Sequence, residues 1–188
     1  DSKYNPQTNA KRYFKKYNKL KTALDIVKTQ KKETQRDLDY LESLVYSLES
    51  AKELTDLQNI FEEISESNKN NKQHKQHFTF NPIKININEY TIYIGRNNKE
   101  NDYLTTKLAR KNDIWFHTKD IHGSHVVLKI EDNKLIVPDE VIYECAQIAA
   151  YHSKAKNSSN VPVDYTRIGF VKKPSGSKPG MVIYSNNK

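Results

Sequence analysis

Residues 110–128 read RKNDIWFHTKDIHGSHVVL and contain Trp115, the only tryptophan of the 188-residue chain. From Asp113 to Thr118 polar and apolar side chains alternate before a Lys-Asp turn, which predicts a strand that ends in a turn. A second strand is predicted to begin at Ser124, just beyond a glycine. The sequence therefore predicts a hairpin that gathers the tryptophan, three histidines and flanking basic residues around one turn.

The side chains of this hairpin suit a surface that binds RNA. Aromatic rings stack on bases, and basic side chains attract phosphates. The alternative is that Trp115 and Phe116 are core residues, and this is expected of at least one of them, because neighbouring strand residues point to opposite faces. The candidate RNA-binding residues are Arg110, Lys111, Asp113, Trp115, His117, His125, Lys172, Lys173 and Lys178.

The same hairpin resembles a known family. The stretch DIWFHTKDIHGSHV at residues 113–126 is similar to the signature of the C-terminal NFACT-R domain of the NFACT family of bacterial RqcH-like (fibronectin-binding protein A-like) and eukaryotic NEMF-like proteins. Three more stretches match the family pattern: NAKRYFKKY at 9–17, NDYLTT at 101–106 and KKPSGSKPG at 172–180. Together these matches extend over nearly the whole chain. The resemblance implies an RNA-binding domain preceded by a coiled-coil arm whose other helix lies upstream.

The first part of the chain carries an apolar repeat with alternating steps of four and three residues. It predicts a helix over residues 8–49, roughly 60 Å long at 1.5 Å per residue, with a coiled-coil seam of about five heptads. Ser50 with Glu53 predicts a capping box that begins a shorter second helix. The seam positions are Tyr13, Tyr17, Leu20, Leu24, Val27, Lys31, Thr34, Leu38, Leu41, Val45 and Leu48.

Charge is segregated along the chain. Residues 1–36 carry a net charge of +8, residues 37–65 carry −7, and residues 66–188 carry +7. A solvated helix surface explains the density of charge but not this separation of sign, which favours two contacts with a polyanion. The candidate RNA contacts on the arm are Lys11, Arg12, Lys15, Lys16 and Lys19.

Three segments follow from these patterns. Residues 1–66 form the coiled-coil arm helix and the short second helix, and residues 67–77 form a flexible basic linker without apolar side chains. Residues 78–188 form a compact α+β domain of order ββαββαββ. His74 and His77 of the linker have no acidic or cysteine neighbours, so a metal site there is not predicted.

The order of the domain comes from alternation and from helix signals. Cys145 falls in an apolar helical stretch, so it is expected to be a buried, inert thiol. Helices are predicted over about 98–109 and from Pro138 to about 156, where proline suits the first turn. Strands are predicted at 83–87, 90–94, the two arms of the hairpin, 166–171 and 180–184.

The sequence does not predict an enzyme. His117, His122 and His125 have the residue types of metal or acid–base sites, and so do Asp113 and Asp120. However, H-x4-H-x2-H around a glycine turn is not a recognised ligand spacing. The chain has no nucleophile elbow, Walker loop or dinucleotide-binding glycine pattern. We therefore expect no catalytic residue, metal ion or cofactor.

The resemblance implies a module of a cytoplasmic ribosome-associated quality-control factor. Such a factor binds obstructed large ribosomal subunits and tRNA, and supports C-terminal alanine tailing of stalled nascent chains. Its expected partners are large-subunit RNA, tRNA and a coiled-coil helix, either upstream in the protein or in a second copy. The alternative is a fragment of a cell-surface adhesin that binds fibronectin or fibrinogen. A purely structural coiled-coil dimer would leave the basic charge of residues 66–188 unexplained.

Overall fold

The structure, a computed structural model, describes residues 1–67, 78–131 and 136–188. It divides into two compact units, Asp1–Asp39 and Tyr40–Lys188. The second unit thus begins far before residue 78, where the sequence placed the start of the domain. Most of the expected basic linker, with both of its histidines, lies outside the described residues.

Two helices open the chain. Helix α1 spans Pro6–Ser50 and helix α2 spans Leu54–Ser67. The apolar repeat therefore predicted the long helix correctly. Along α1 the expected seam is exposed: Leu24 is 54% and Leu41 is 56% exposed. Pairing of this seam in a coiled coil stays a prediction.

The junction between the helices differs from the expected capping box. Ser50 is the last residue of α1, and its hydroxyl donates to the carbonyl of Tyr46 at 2.8 Å. The carboxylate of Asp56, in the first turn of α2, accepts the backbone N–H groups of Lys52 and Glu53, both at 3.1 Å. The Ser50–Glu53 box is therefore wrong, because Asp56 supplies the acceptor from inside the helix.

The end of α1 packs in the second unit through a face that the seam does not include. Tyr40 and Leu44 are buried and form a cluster with Ile60 of α2. These positions lie between the seam positions, so a repeat of 3.5 residues does not mark them. This buried face explains why the second unit begins inside α1.

Polar contacts fix the same elements to the domain. The side-chain amide of Asn98 donates to the hydroxyl of Ser43 at 2.9 Å and to the carboxylate of Glu63 at 3.2 Å. The ammonium of Lys99 lies 3.3 Å from the carboxylate of Glu62, with both side chains largely buried. Removing one partner of a pair that is shielded from water costs more than removing one partner of an exposed pair, because an uncompensated buried charge is left.

Within residues 78–131 and 136–188 the structure has two further α-helices and seven strands. Helix α3 spans Asn98–Tyr103 and α4 spans Asp139–Tyr151. The strands are β1 Ile83–Ile87, β2 Tyr90–Ile94, β3 Ile114–Thr118, β4 Val126–Leu128, β5 Val163–Arg167, β6 Val171–Lys172 and β7 Ile183–Tyr184. Strands β1 to β5 form one antiparallel sheet in the order β1-β2-β4-β3-β5, and β6 pairs with β7.

The α+β class is confirmed, with two local differences. The strand expected at 166–171 is divided by a 3-10 turn at Ile168–Phe170, which gives the domain one strand more than ββαββαββ. The helix expected over 98–109 is α3 followed by a π-helical turn at Leu104–Leu108. The hairpin of β3 and β4 lies inside the sheet, with β2 on one side and β5 on the other.

Two cores lie on the two faces of the sheet. On one face Ile92, Phe116 and Leu128 pack with Val141 and Cys145 of α4. Burial raises the pKa of the Cys145 thiol to about 12, so the thiol stays protonated, as expected of an inert core cysteine. The other face is covered by the π-helical turn, β7 and the chain before β1.

Candidate nucleic-acid interface

Trp115 lies in the second core and not on a surface. It is 0% exposed and packs with Leu104 and Val127, and its ring centroid lies 4.9 Å from that of Tyr184. Phe116 is equally buried on the opposite face. A ring without exposed area has no face to offer to a base, so this placement contradicts the expected stacking role of Trp115. Trp115 and Phe116 are therefore both core residues, which is the alternative to an RNA-binding role.

The two histidines beside Trp115 are also part of this core. The ring of His117 stacks on Trp115 at 5.6 Å, and His125 meets it edge-on at 5.2 Å. His125 is 3% exposed, with its Nδ1 atom 2.7 Å from the hydroxyl of Thr105. Burial lowers the pKa of His117 to about 4 and the pKa of His125 well below its ordinary value. Both are therefore neutral at pH 7 and do not supply charge for a phosphate.

Asp113 is a structural carboxylate. It is 0% exposed, accepts the backbone N–H groups of Arg110 at 2.7 Å and Ile130 at 2.9 Å, and pairs with the ammonium of Lys129. Lys129 also donates to the carbonyl of Leu108 at 3.3 Å. The structure thus places Asp113 inside a closed network, away from any ligand at the surface.

The remaining hairpin residues of the candidate site lie on an exposed basic surface. The loop before β3 contacts the turn Ile168–Phe170, because the N–H of Gly169 donates to the carbonyl of Lys111 at 3.2 Å. Lys172 lies two residues beyond this turn, in β6. Arg110, Lys111 and Lys172 are exposed and make no ion pair with another described residue. These three cations, with the turn, are called the basic turn surface below.

The loop between β6 and β7 is held against α3. The ammonium of Lys173 lies 2.6 Å from the carboxylate of Asp102, and the N–H of Gly180 donates to the same oxygen at 3.4 Å. The ammonium of Lys178 lies 5.2 Å from the centre of the Tyr40 ring. Gly180 has φ of +74°, and a Cβ there would lie 3.3 Å from the α3 backbone, so glycine is required. Lys173 and Lys178 are therefore exposed cations that also anchor this loop.

Several residues that position the site lie in a stretch that matches the family pattern, but the sequence analysis gave them no role. Asn101 accepts the backbone N–H of His125 at 2.9 Å, and a Cβ at Gly95 would lie only 2.2 Å from that same amide oxygen. Asp102 and Thr105 make the contacts given above. All three polar residues belong to the stretch NDYLTT, whose polar density in a short helix is the signal that could have marked them.

The basic residues of the arm all lie in the first unit. Arg12 lies 4.2 Å from the centre of the Tyr4 ring and 3.6 Å from the carboxylate of Asp1. The four lysines make no ion pair with another described residue. Steps of four residues place three of them on one side of α1. The exposed cations of this cluster are Lys11, Arg12, Lys15, Lys16 and Lys19.

The neutral histidines predict a dependence of stability on pH. Because the pKa of His117 is about 4 in the folded chain and about 6.5 when unfolded, the unfolded chain binds more protons as the pH falls. Stability is fully present above pH 6.5 and is lost towards pH 4, with about 2 kcal/mol lost at pH 5 from His117 alone. Urea unfolding at pH 7 and pH 5 measures this loss. His117→Gln should show a smaller loss, and equal losses in both proteins would contradict the assignment.

Among residues 1–67, 78–131 and 136–188, no group of three or more His, Cys, Asp or Glu side chains is arranged to hold a metal ion. No helix within these ranges is both long enough and apolar enough to cross a membrane.

Comparison with known proteins gives consistent matches. Residues 75–186 match the family model described as the NFACT protein RNA binding domain, and residues 1–78 match the NFACT N-terminal and middle domains. The Rqc2 homolog RqcH of Bacillus subtilis is 44% identical over 96% of this chain and 32% of its own length. Mouse coiled-coil domain-containing protein 25 is 32% identical over 59% of this chain and 54% of its own length.

A solved structure also matches. It is described as the C-terminal of the fibronectin/fibrinogen-binding protein from Streptococcus suis, and it superimposes with a TM-score of 0.83 at 39% identity. The match covers 97% of this chain and 74% of that one. By contrast, the chain spans about a third of the length of the RqcH relatives that it matches.

Proposed function

Because this chain belongs to the NFACT family, we propose that it is the RNA- and ribosome-binding module of a ribosome-associated quality-control factor. The complete factor would bind obstructed large ribosomal subunits and tRNA in the cytoplasm and support alanine tailing of stalled nascent chains. This module would bind and position RNA without catalysing a reaction, since peptidyl transfer belongs to the ribosome. It would need no cofactor.

The basic turn surface is the observation that supports this proposal most directly. It lies within residues 75–186, which match the RNA binding domain. Its three cations are exposed and unpaired among the described residues, so they are available to phosphates. Contacts between such cations and phosphates release counterions, which supplies most of the affinity of sequence-independent RNA binding.

The arm would supply a second contact. The basic cluster of α1 presents several cations with no competing ion pair among its lysines, and the phosphate backbone of ribosomal RNA is the matching polyanion. The exposed seam of α1 would pair with a coiled-coil helix, either the upstream helix that the family resemblance implies or a second copy of this chain.

The second candidate function is binding of fibronectin or fibrinogen at the cell surface. The description of the similar Streptococcus suis structure favours it. A basic surface also attracts acidic proteins and glycans when salt is low, so weak capture at low salt does not discriminate between the two functions. Binding at about 0.15 M salt is the informative measurement, because exposed charges are then screened beyond roughly 8 Å.

The test is cosedimentation of this chain with purified large ribosomal subunits at near-physiological salt. Lys11→Glu, Lys15→Glu and Lys19→Glu together should weaken subunit binding by about tenfold or more, since each lost phosphate contact removes counterion release. The measured quantity is the fraction of protein in the subunit pellet over a range of subunit concentrations.

A matched control is available on the same helix. Lys28→Glu, Lys32→Glu and Arg36→Glu change the charge by the same amount with the same spacing of four residues, avoid the seam positions, and begin at Lys28, about 13 Å from Lys19 along the helix axis. This control should bind subunits better than the first variant. If neither triple changed subunit binding and both reduced capture on fibronectin equally, the adhesin function would replace the ribosomal one.

A further inference from the structure

Tyr103 is an aromatic residue of the domain that, unlike Trp115, is exposed. Tyr103 ends α3 and is 39% exposed. Its ring centroid lies 4.4 Å from that of Phe80 and 5.8 Å from that of Phe78. The two phenylalanine rings hold the tyrosine ring in place while part of it stays open to solvent. A fixed, partly open ring is the feature that base stacking requires, because little conformational entropy is then lost on binding.

Positively charged lysine side chains lie beside the Tyr103 ring. Asp102, the preceding residue, binds the ammonium of Lys173 at 2.6 Å, which brings the basic loop to the end of α3. Lys107 follows in the π-helical turn and is exposed. A base on Tyr103 would therefore have positive charge close to its own phosphate, the combination found in grooves that track single strands.

A second exposed ring lies on the basic turn surface itself. Phe170 is 42% exposed at the end of the turn, between Lys111, which contacts the turn at Gly169, and Lys172. The Phe170 ring stays partly open to solvent among these cations, and this does not favour stability, because apolar area is left in water. This ring is accessible to a base of an RNA strand whose phosphates contact the neighbouring cations.

We propose that the domain binds RNA through unpaired nucleotides, with one base stacked on Tyr103 and its phosphate held by Lys107 and Lys173, and a second base stacked on Phe170 and its phosphate held by the basic turn surface. This inference rests on the proposed function and narrows its ligand to single-stranded segments such as loops, bulges and ends. Bases inside a duplex are already stacked and paired, so they cannot reach a side-chain ring. Phosphate contacts alone would not discriminate between the two forms.

The experiment compares two RNAs against three forms of the full chain. The probes are a single-stranded oligouridine of about 12 nucleotides, within the usual site size of single-strand binders, and an RNA duplex of the same length. Tyr103→Leu keeps apolar packing against Phe80 but removes the aromatic face, whereas Tyr103→Phe keeps the face. Loss of one stacked base should weaken oligouridine binding about tenfold in Tyr103→Leu, with duplex binding unchanged and Tyr103→Phe equal to the parent.

The outcomes separate this inference from the function on which it rests. If the parent chain bound neither RNA, the proposed RNA-binding function itself would fail. If it bound both and Tyr103→Leu matched the parent on oligouridine, the function would stand and the stacking inference would be overturned. An equal loss on both RNAs would also overturn it, since that points to the fold or to charge. Photo-crosslinking with 5-iodouridine should give an adduct on Tyr103 in the parent chain, and its absence would count against the proposal.

Discussion

Replacing Arg110, Lys111 and Lys172 together with alanine is expected to lower RNA affinity on the order of 100-fold at about 0.15 M salt. These cations are exposed, lie around one turn, and make no ion pair among the described residues. The slope of log K against log salt should become shallower by about 2 to 3 units, because each phosphate contact contributes roughly 0.7 to 0.9. Fluorescence anisotropy with labelled RNA over a salt series measures both quantities.

The control removes the same number of charges elsewhere. Lys119, Lys154 and Lys156 are exposed, and Lys119 follows the end of β3 that is opposite to the basic turn surface. Replacing these three with alanine gives the same net charge, so it isolates position from total charge. If both triple variants lost the same affinity and the same slope, net charge alone would explain binding and the basic turn surface would have no special part.

Asp113→Ala is expected to destabilise the domain by about 3–5 kcal/mol, the usual cost of breaking a buried ion pair from one side. Two buried backbone N–H groups would lose their acceptor, and the Lys129 ammonium would lose its partner. Asp113→Asn should cost less, since an amide oxygen can still accept one of these N–H groups. Urea unfolding at pH 7 measures the change in unfolding free energy.

Two comparisons sharpen this prediction. Glu144→Ala removes an exposed carboxylate from α4 and should change stability by no more than about 0.5 kcal/mol. Combining Asp113→Asn with Lys129→Met removes both charges and should recover part of the loss. If Asp113→Ala unfolded at the same urea concentration as the parent chain but bound RNA more weakly, Asp113 would be a ligand contact, as the sequence first suggested.

Local patterns were enough to predict the helices and strands. They did not predict which faces of these elements are covered by other parts of the chain. The alternation in 113–118 correctly predicted β3 and correctly set Trp115 and Phe116 on opposite faces. Whether both faces are covered depends on residues far away in the sequence, such as Phe80 and Tyr184, and alternation within one strand does not report on them. The burial of Asp113 likewise depends on Lys129, which lies sixteen residues further along the chain.

The packing of the end of α1 was not predicted for a related reason. In α1, a repeat of 3.5 residues marked the exposed seam, while the buried face of Tyr40 and Leu44 is too short to produce a periodic signal. The RNA contacts of the basic residues stay a prediction, and the stacking role expected of Trp115 does not fit its burial. Arg110, Lys111 and Lys172 are conspicuous by charge, whereas the exposure of Tyr103 and Phe170 follows from the packing of the whole domain.

The single, fully buried tryptophan also has a practical consequence in spectroscopy. Trp115 is the only indole of the chain, it lies in an apolar core, and its Nε1 atom has no hydrogen-bond partner among the described residues. An indole in such surroundings emits at shorter wavelength than one in water, and neighbouring imidazole rings quench it when they gain a proton. The domain therefore carries an intrinsic fluorophore at the face of the sheet where His117 and His125 lie, and its unfolding can be followed without a label.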